Sequence, residues 1–292
     1  MATTPPDGIY EGIPFDDYLA WDAVSSSKLR GGKRRTILHA RYASEQDDET
    51  DAMKKGSLAH CLALEGIQAA EARFIREPEE LLDDPSYKNP RQGKPYQQWK
   101  AAQDGPIVKR EDWQAACLMV EQVYQHKSAS RLLMAPGMRE VSLITTDEAT
   151  GLRLKARLDL LTRGQSGRPM VIDIKSARDA SRPKFTRAVF DQGYHMQSEF
   201  YARVVRALTG ENPSVGFVVI ENAAPFACAT YDMTEWLGVG RFENDIWLRR
   251  WAAAVKSNHW PGYPGTFEML PCPQWVDHEL ERVASENQEW VA

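Results

Sequence analysis

The spacing of apolar positions along this chain changes period several times, and each change marks an element. From Met53 to Glu65, the residues Leu58, Cys61, Leu62 and Glu65 recur at helical spacing, and Gly66 supplies a stop. Glu111 to Leu133 carries the same period through Trp113, Cys117, Val120 and Tyr124 until Pro136 and Gly137 end it. The period then drops to two. Val141, Leu143 and Thr145 alternate in a strand, Asp147 to Gly151 makes a turn, and Leu152 to Leu161 forms a second strand. A Gly/Ser-rich turn at 164–168 leads to a third strand, Met170 to Lys175. Helical spacing returns from Gln192 to Leu208, with Met196, Phe200, Val204 and Leu208 on one stripe. Strands at Val215–Glu221 and Ala227–Asp232, a long helix at Thr234–Ser257 and a last helix at about 275–289 complete the series.

This order predicts a mixed α/β fold, a central sheet flanked by helices, in one domain spanning 1–292 with N- and C-terminal elaborations. Residues 1–24 read as irregular, and Ser25, Ser26 and Ser27 can cap a short helix at Lys28. The acidic stretch 45–51 reads as an exposed loop. Pro78, Pro85, Pro90, Pro95 and Pro106 make 76–107 a long loop, expected to move when no ligand is bound.

Composition narrows the class. Hydrophobic residues make up 42 % of the 292, as in an ordinary globular protein, and no apolar run is long enough for a membrane helix. The segment from Met1 to Tyr10 has no apolar core of the secretory type, so a cytoplasmic location is expected. The cysteines, Cys61, Cys117, Cys228 and Cys272, stand singly, which argues against structural zinc or an iron–sulfur cluster and for free, mostly buried thiols. A net charge of −5 excludes a basic whole-surface nucleic-acid binder. Local basic clusters remain: Lys28, Arg30, Lys33, Arg34 and Arg35, and then Arg178, Arg182, Lys184 and Arg187. Each can be a solvated face or a set of phosphate contacts.

Strand alternation brings the chemistry together. Leu152, Leu154, Ala156, Leu158 and Leu160 share one face of the second strand, and Arg153, Lys155, Arg157 and Asp159 share the other. In the third strand Asp173 and Lys175 are neighbours on one face, about 6–7 Å apart, and Asp159 can join them across a hairpin. Two adjacent carboxylates repel, and a divalent cation removes the conflict. Oxygen ligands of this kind suit Mg²⁺, with Mn²⁺ as a substitute. Such an ion polarises a phosphate and acidifies water, and Lys175 could orient that water. A salt bridge among Asp173, Lys175 and Arg157 is the alternative reading of the same residues.

The surrounding motifs separate the two. Gly56-Ser57-Leu58-Ala59-His60 resembles the GxxxH helix motif of RecB-like nucleases. Lys155-Ala156-Arg157-Leu158-Asp159 resembles the strand that delivers their first aspartate. Val171-Ile172-Asp173-Ile174-Lys175 resembles the hydrophobic-D-hydrophobic-K core, and Tyr194-His195-Met196-Gln197 with Tyr201 resembles YxxQxxxY. In this order the motifs resemble the PD-(D/E)xK superfamily, and within it the RecE-like (exonuclease VIII) phage-type exonucleases. The segments Tyr10–Tyr18, Ser25–Leu29, Trp260–Tyr263 and Pro273–Trp275 are also similar to that group. Two departures are mild: the second acid is Asp173 rather than Glu, and Leu158 stands where the PD dipeptide has proline.

The resemblance implies a restriction-endonuclease-like core. It implies that Asp159, Asp173, the Ile174 carbonyl and His60 bind one or two metal ions, that Lys175 handles the attacking water, and that Gln197 and Tyr201 organise the site or touch the DNA backbone. Read alone, His60 could be a core histidine, and Gln197 and Tyr201 could be packing residues. Glu140 could be a supporting acid behind the ligands or a surface residue, and His195 is expected to be structural. Lys28, Lys33, Arg34 and the Arg178–Arg187 cluster are candidates for DNA contact. The implied activity is 5′→3′ digestion of linear duplex DNA, leaving 3′ single strands for an annealing partner, by a ring-shaped homo-oligomer, trimer or tetramer, encoded by a bacterium or phage. An endonuclease or repair nuclease on the same fold, or a non-catalytic DNA-binding module, would share these motifs.

Overall fold

The structure, a computed structural model, describes residues 4–43 and 51–289. Its strands are β1 (Gly8–Tyr10), β2 (Val24–Ser25), β3 (Ile75–Arg76), β4 (Ile107–Val108), β5 (Gly137–Thr146), β6 (Arg153–Arg163), β7 (Pro169–Ala177), β8 (Ser214–Glu221) and β9 (Cys228–Asp232). A 7-stranded sheet runs in the order β1-β5-β6-β7-β8-β9, with β2 paired to β6, and β3 pairs β4 separately. β5, β6 and β7 form the antiparallel meander expected from the period-2 segments. The Asp147–Gly151 turn closes its first hairpin: the Asp147 side chain accepts from Thr150, and Gly151 takes φ +70°, which costs a glycine little. β8 lies parallel to β7 after a crossover through two helices, Arg182–Asp191 and Tyr194–Thr209. The sheet is therefore mixed, as the order of elements predicts.

Helices cover both faces. On one, Met196, Phe200 and Val204 of the Tyr194–Thr209 helix and Trp247, Leu248 and Trp251 of the Leu237–Ser257 helix pack on Leu154, Leu158, Val171 and Phe217. On the other, Leu58, Cys61 and Leu62 of the Asp51–Leu64 helix and Trp113, Ala116, Met119 and Val123 of the Arg110–Gln125 helix pack on Leu160, Ile172, Ile174 and Val218. Each such side chain, once fully buried, contributes roughly 1.5–3 kcal/mol. β7 and β8 have apolar residues on both faces because both are covered.

Several expectations change. The stripe predicted through Cys117 and Tyr124 is displaced: the buried positions are Trp113, Ala116, Met119 and Val123, Cys117 is exposed, and Tyr124 reaches Ala63 O with its hydroxyl. The helix predicted over Glu111–Leu133 is two, Arg110–Gln125 and Lys127–Leu133, because His126 leaves helical geometry and caps the second with Nδ1. Of the four cysteines, all free, only Cys61 is buried.

Residues 1–24 are not irregular throughout. β1 extends the sheet beside β5, β2 pairs β6, and Lys155, fully buried, donates to the carbonyls of Tyr18, Leu19 and Trp21 at the end of the Phe15–Ala20 helix. The 76–107 segment is built, not a plain loop: it holds helices at Glu79–Leu82 and Lys94–Ala101 between β3 and β4. The acidic loop predicted at 45–51 lies outside the described residues except Asp51, which begins a helix.

The chain divides into two compact units, Met1–Pro261 and Gly262–Ala292. The second holds the helix Trp275–Glu289, with Leu280 and Val283 exposed. No helix among the described residues is long and apolar enough to cross a membrane.

Candidate metal centre

Alternation along β6 breaks at Asp159. Leu154, Ala156 and Leu158 lie in one core, but Leu160 lies in the other, whereas unbroken alternation places Leu160 with Leu158. On β5, Glu140 has φ +49°, a left-handed backbone rare for a side chain of its size, and neither Glu140 nor Asp159 has a ladder partner between the Arg139–Leu160 and Val141–Leu158 pairs. The β6–β7 ladder also stops here, at Leu160–Ile172. In place of the next rung, the Asp159 carboxylate accepts the Ile174 N–H at 2.6 Å. A gap thus opens between two neighbouring strands, and side chains enter it from both helical layers.

From one layer comes His60. Gly56, one turn earlier, lies against β7, where a Cβ would stand 2.9 Å from Ser176 Oγ. Glycine lets the helix come this near and brings His60 Nε2 to 2.9 Å from Asp159 Oδ2 and Nδ1 to 3.4 Å from Glu140 Oε1. From the other layer come Gln197 and Tyr201, one turn apart. Gln197 Nε2 donates to Asp173 Oδ1 at 3.2 Å and to Tyr201 OH at 2.7 Å. Lys175 ion-pairs with Asp173 and lies 4.9 Å from the centre of the Tyr194 ring. The cleft above, about 920 Å³, is lined by His60, Glu140, Arg157 and Lys175, with Phe15 and Tyr194 among its aromatic residues.

Charge is concentrated and poorly solvated. Burial, with the neighbouring charge of Asp159, pushes Asp173 up to about 6 against the pull of Lys175. Burial and Asp159 also raise Glu140. Burial would raise Asp159 too, but His60 beside it holds it low. Burial disfavours a charged His60, yet Asp159 and Glu140 outweigh that and carry it up to about 9. Two buried acceptor atoms here, Glu140 Oε1 and Gln197 Oε1, take no hydrogen bond, which is costly unless something else satisfies them; Asp173 Oδ2 is held by the Lys175 ammonium.

The arrangement fits a divalent cation. One ligand atom each from His60, Glu140 and Asp159 lie within 4.8 Å of one another, and an imidazole with two carboxylates is a donor set for such ions. The grouping adds one residue to those the motifs suggest. Glu140 joins it. Asp173 lies beside it, facing Lys175 and Gln197. Ile174 donates its N–H to Asp159 Oδ2.

The other candidates are placed as follows. Arg178, Arg182, Lys184 and Arg187 are exposed, and Arg178 and Lys184 line a hollow of about 860 Å³ that shares Ser176 and Tyr194 with the cleft. Lys28 is half-buried. Arg34 is exposed and pairs with Asp191 at 3.0 Å. Lys33 turns inward to Phe190 O and Glu243, because the start of the Gln197 helix packs over it, and so is not an outward cation. His195 is fully buried between Val189 O and Glu243. The alternative reading of the strand residues set Arg157 in a salt bridge with Asp173 and Lys175. It binds Glu140 instead, a partner hidden because the pair lies across the broken rung.

Residues 28–272 match the family described as a PDDEXK-like domain of unknown function (DUF3799). No curated protein matches the chain in sequence. Among solved structures, a candidate exonuclease from Eubacterium rectale is similar at a TM-score of 0.57 and 12 % identity, over 90 % of this chain and 96 % of that one. The structure of SSO0001 is matched at a TM-score of 0.27 and 17 % identity, over 47 % and 69 %. The first likeness is one of fold. The second is too low to carry an argument.

Proposed function

The chain belongs to the PDDEXK-like family DUF3799, and from that premise we propose that it is a divalent-metal-dependent nuclease that hydrolyses phosphodiester bonds of DNA. One observation carries the reading: ligand atoms of His60, Glu140 and Asp159 converge to within 4.8 Å of one another, and His60, Glu140 and Lys175 line an open cleft. His60, Glu140 and Asp159 would hold the cation, which when bound supplies charge to polarise the phosphate and to acidify water. Asp173 holds the Lys175 ammonium at the cleft. Lys175 can donate to a phosphate oxygen or fix the attacking water. Gln197, donating to both Asp173 and Tyr201, keeps the Asp173 carboxylate turned toward Lys175. Arg178 and Lys184, in the adjoining hollow, are placed to take backbone phosphates, contacts that position DNA without reading sequence.

The substrate we propose is the end of linear duplex DNA, digested 5′→3′ in the RecE-like manner with Mg²⁺, to leave 3′ tails for an annealing partner, by a ring-shaped homo-oligomer in the cytoplasm. The RecE-like motifs, including the Tyr10–Tyr18 and Trp260–Tyr263 segments, support this part. The test is digestion of linear and covalently closed duplex with Mg²⁺ by the wild type and Lys175→Ala. Loss of linear DNA only, abolished in Lys175→Ala, is expected. Cutting of closed circles would overturn the exonuclease reading, and unchanged activity in Lys175→Ala would overturn the site.

A further inference from the structure

Arg157 is the least solvated cation beside the metal centre that the proposed chemistry does not use: its side chain is 16 % exposed. Its contacts converge on one place. Nε donates to Glu140 Oε2 at 2.9 Å, Nη1 donates to Ile13 O at 2.8 Å and to Ser142 Oγ at 3.2 Å, and the guanidinium lies 5.7 Å from the centre of the Phe15 ring. Glu140 Oε2 is thereby fixed, and Glu140 Oε1 is left toward His60 Nδ1 with no hydrogen bond of its own. Glu140 also stands at φ +49°, so its backbone supplies no relaxed default that would aim the carboxylate there.

We propose that Arg157 is a positioning residue. It sets Glu140 as a cation ligand, and through Ile13 O it ties that ligand to the Gly12–Phe15 wall of the cleft, where a nucleic-acid strand would lie. The inference rests on the metal-site reading above. The rigid guanidinium fork holds the carboxylate and the Ile13 carbonyl at once. A lysine ammonium carries the same charge without the fork. Partners that orient a metal ligand are typically worth 10–100-fold in metal affinity. A group that merely balances charge in the cleft would give a different pattern, because its loss would not depend on Glu140.

The test is Mn²⁺ titration by calorimetry on the full chain: wild type, Arg157→Gln, Arg157→Lys, Glu140→Gln and the double variant Arg157→Gln/Glu140→Gln. Thermal melts without metal verify folding. Arg157→Gln is expected to weaken Mn²⁺ binding about tenfold or more. The double variant should bind no more weakly than Glu140→Gln alone, since the arginine acts through the glutamate. Wild-type affinity in Arg157→Gln, or losses that multiply in the double variant, would overturn the inference while leaving the metal site standing. Should Arg157→Gln fail to fold, Arg157→Lys decides: weakened Mn²⁺ binding by a wild-type-like fold supports the inference, and wild-type affinity overturns it. Failure of the wild type to bind Mn²⁺ would overturn the metal reading and this inference together.

Discussion

Two buried carboxylate sites in the larger unit have opposite fates. Glu77, 2 % exposed, receives Arg91 Nε at 2.9 Å, Arg91 Nη2 at 2.7 Å, the Arg110 N–H at 2.8 Å and the Tyr96 hydroxyl. Burial would raise it, but these donors outweigh burial and hold it down at about 2. Asp173, equally buried, has one ammonium and one amide, and is pushed up to about 6 by burial and by Asp159. The first acid is fully satisfied by its own chain and so is structural. The second is crowded by the charge of a neighbouring acid, and two acceptors beside it, Glu140 Oε1 and Gln197 Oε1, take no hydrogen bond. The difference teaches that burial alone does not mark a functional acid. Acids crowded against one another beside a cleft, with acceptors left over, do.

Substitutions can break this comparison. The largest effect is expected at the cation site: Asp159→Asn should lower metal-dependent cleavage by ~10³-fold or more, since the loss is several kcal/mol of transition-state stabilisation. The metal-free melting temperature should fall, because the Asp159 carboxylate is held charged by His60 and accepts the Ile174 N–H. A protein that cleaves normally would contradict the assignment. Glu77→Ala should do the reverse. It leaves the Tyr96 hydroxyl and the Arg110 N–H without their acceptor and Arg91 with Glu111 alone, and breaking a buried pair in this way costs roughly 3–5 kcal/mol. Denaturant unfolding should show that loss, while Mn²⁺ affinity of the folded protein stays unchanged. A loss under about 1 kcal/mol would place Glu77 with ordinary surface pairs.

pH sharpens the contrast. A carboxylate held down in the folded state stabilises the fold above its unfolded value of about 4.5 and loses that contribution as pH falls toward about 2. The stability gap between wild type and Glu77→Gln should therefore shrink as pH drops through that window. A gap that widened on acidification would reverse the sign and refute the pairing. The smallest effect is expected from Tyr201→Phe. It removes one hydrogen bond from Gln197, worth about 0.5–1.5 kcal/mol, and should slow cleavage several-fold with Mn²⁺ affinity intact. A collapse of metal binding would give Tyr201 a larger part than the geometry does.

The two regions were unequally legible in the sequence. The meander, the crossover helix and the Asp173–Lys175 strand follow from periodicity, because each buries a regular apolar stripe. Glu140 was readable only as an acid near the site. Its φ of +49° and the lost rung beside Asp159 leave no trace in a pattern of alternating residues, and that break also moved Leu160 to the other face. The Glu77 region was misread as a loop. Its hydrogen-bond donors lie 14, 19 and 33 residues away, so no local period announces them, and its prolines look like breakers. The buried stripe of the Arg110–Gln125 helix was missed for a milder reason: Ala116 and Met119 are weaker signals than Cys117 and Tyr124, which face outward.

The central claim is that His60, Glu140 and Asp159 form a cation site that serves Lys175. Mn²⁺ titration of the metal-free protein tests it most directly, comparing wild type, Asp159→Asn and Lys175→Ala, with each then assayed on linear duplex DNA. The account predicts saturable binding by the wild type, loss of binding in Asp159→Asn, and retained binding without cleavage in Lys175→Ala. Equal Mn²⁺ affinity in the wild type and Asp159→Asn would contradict it.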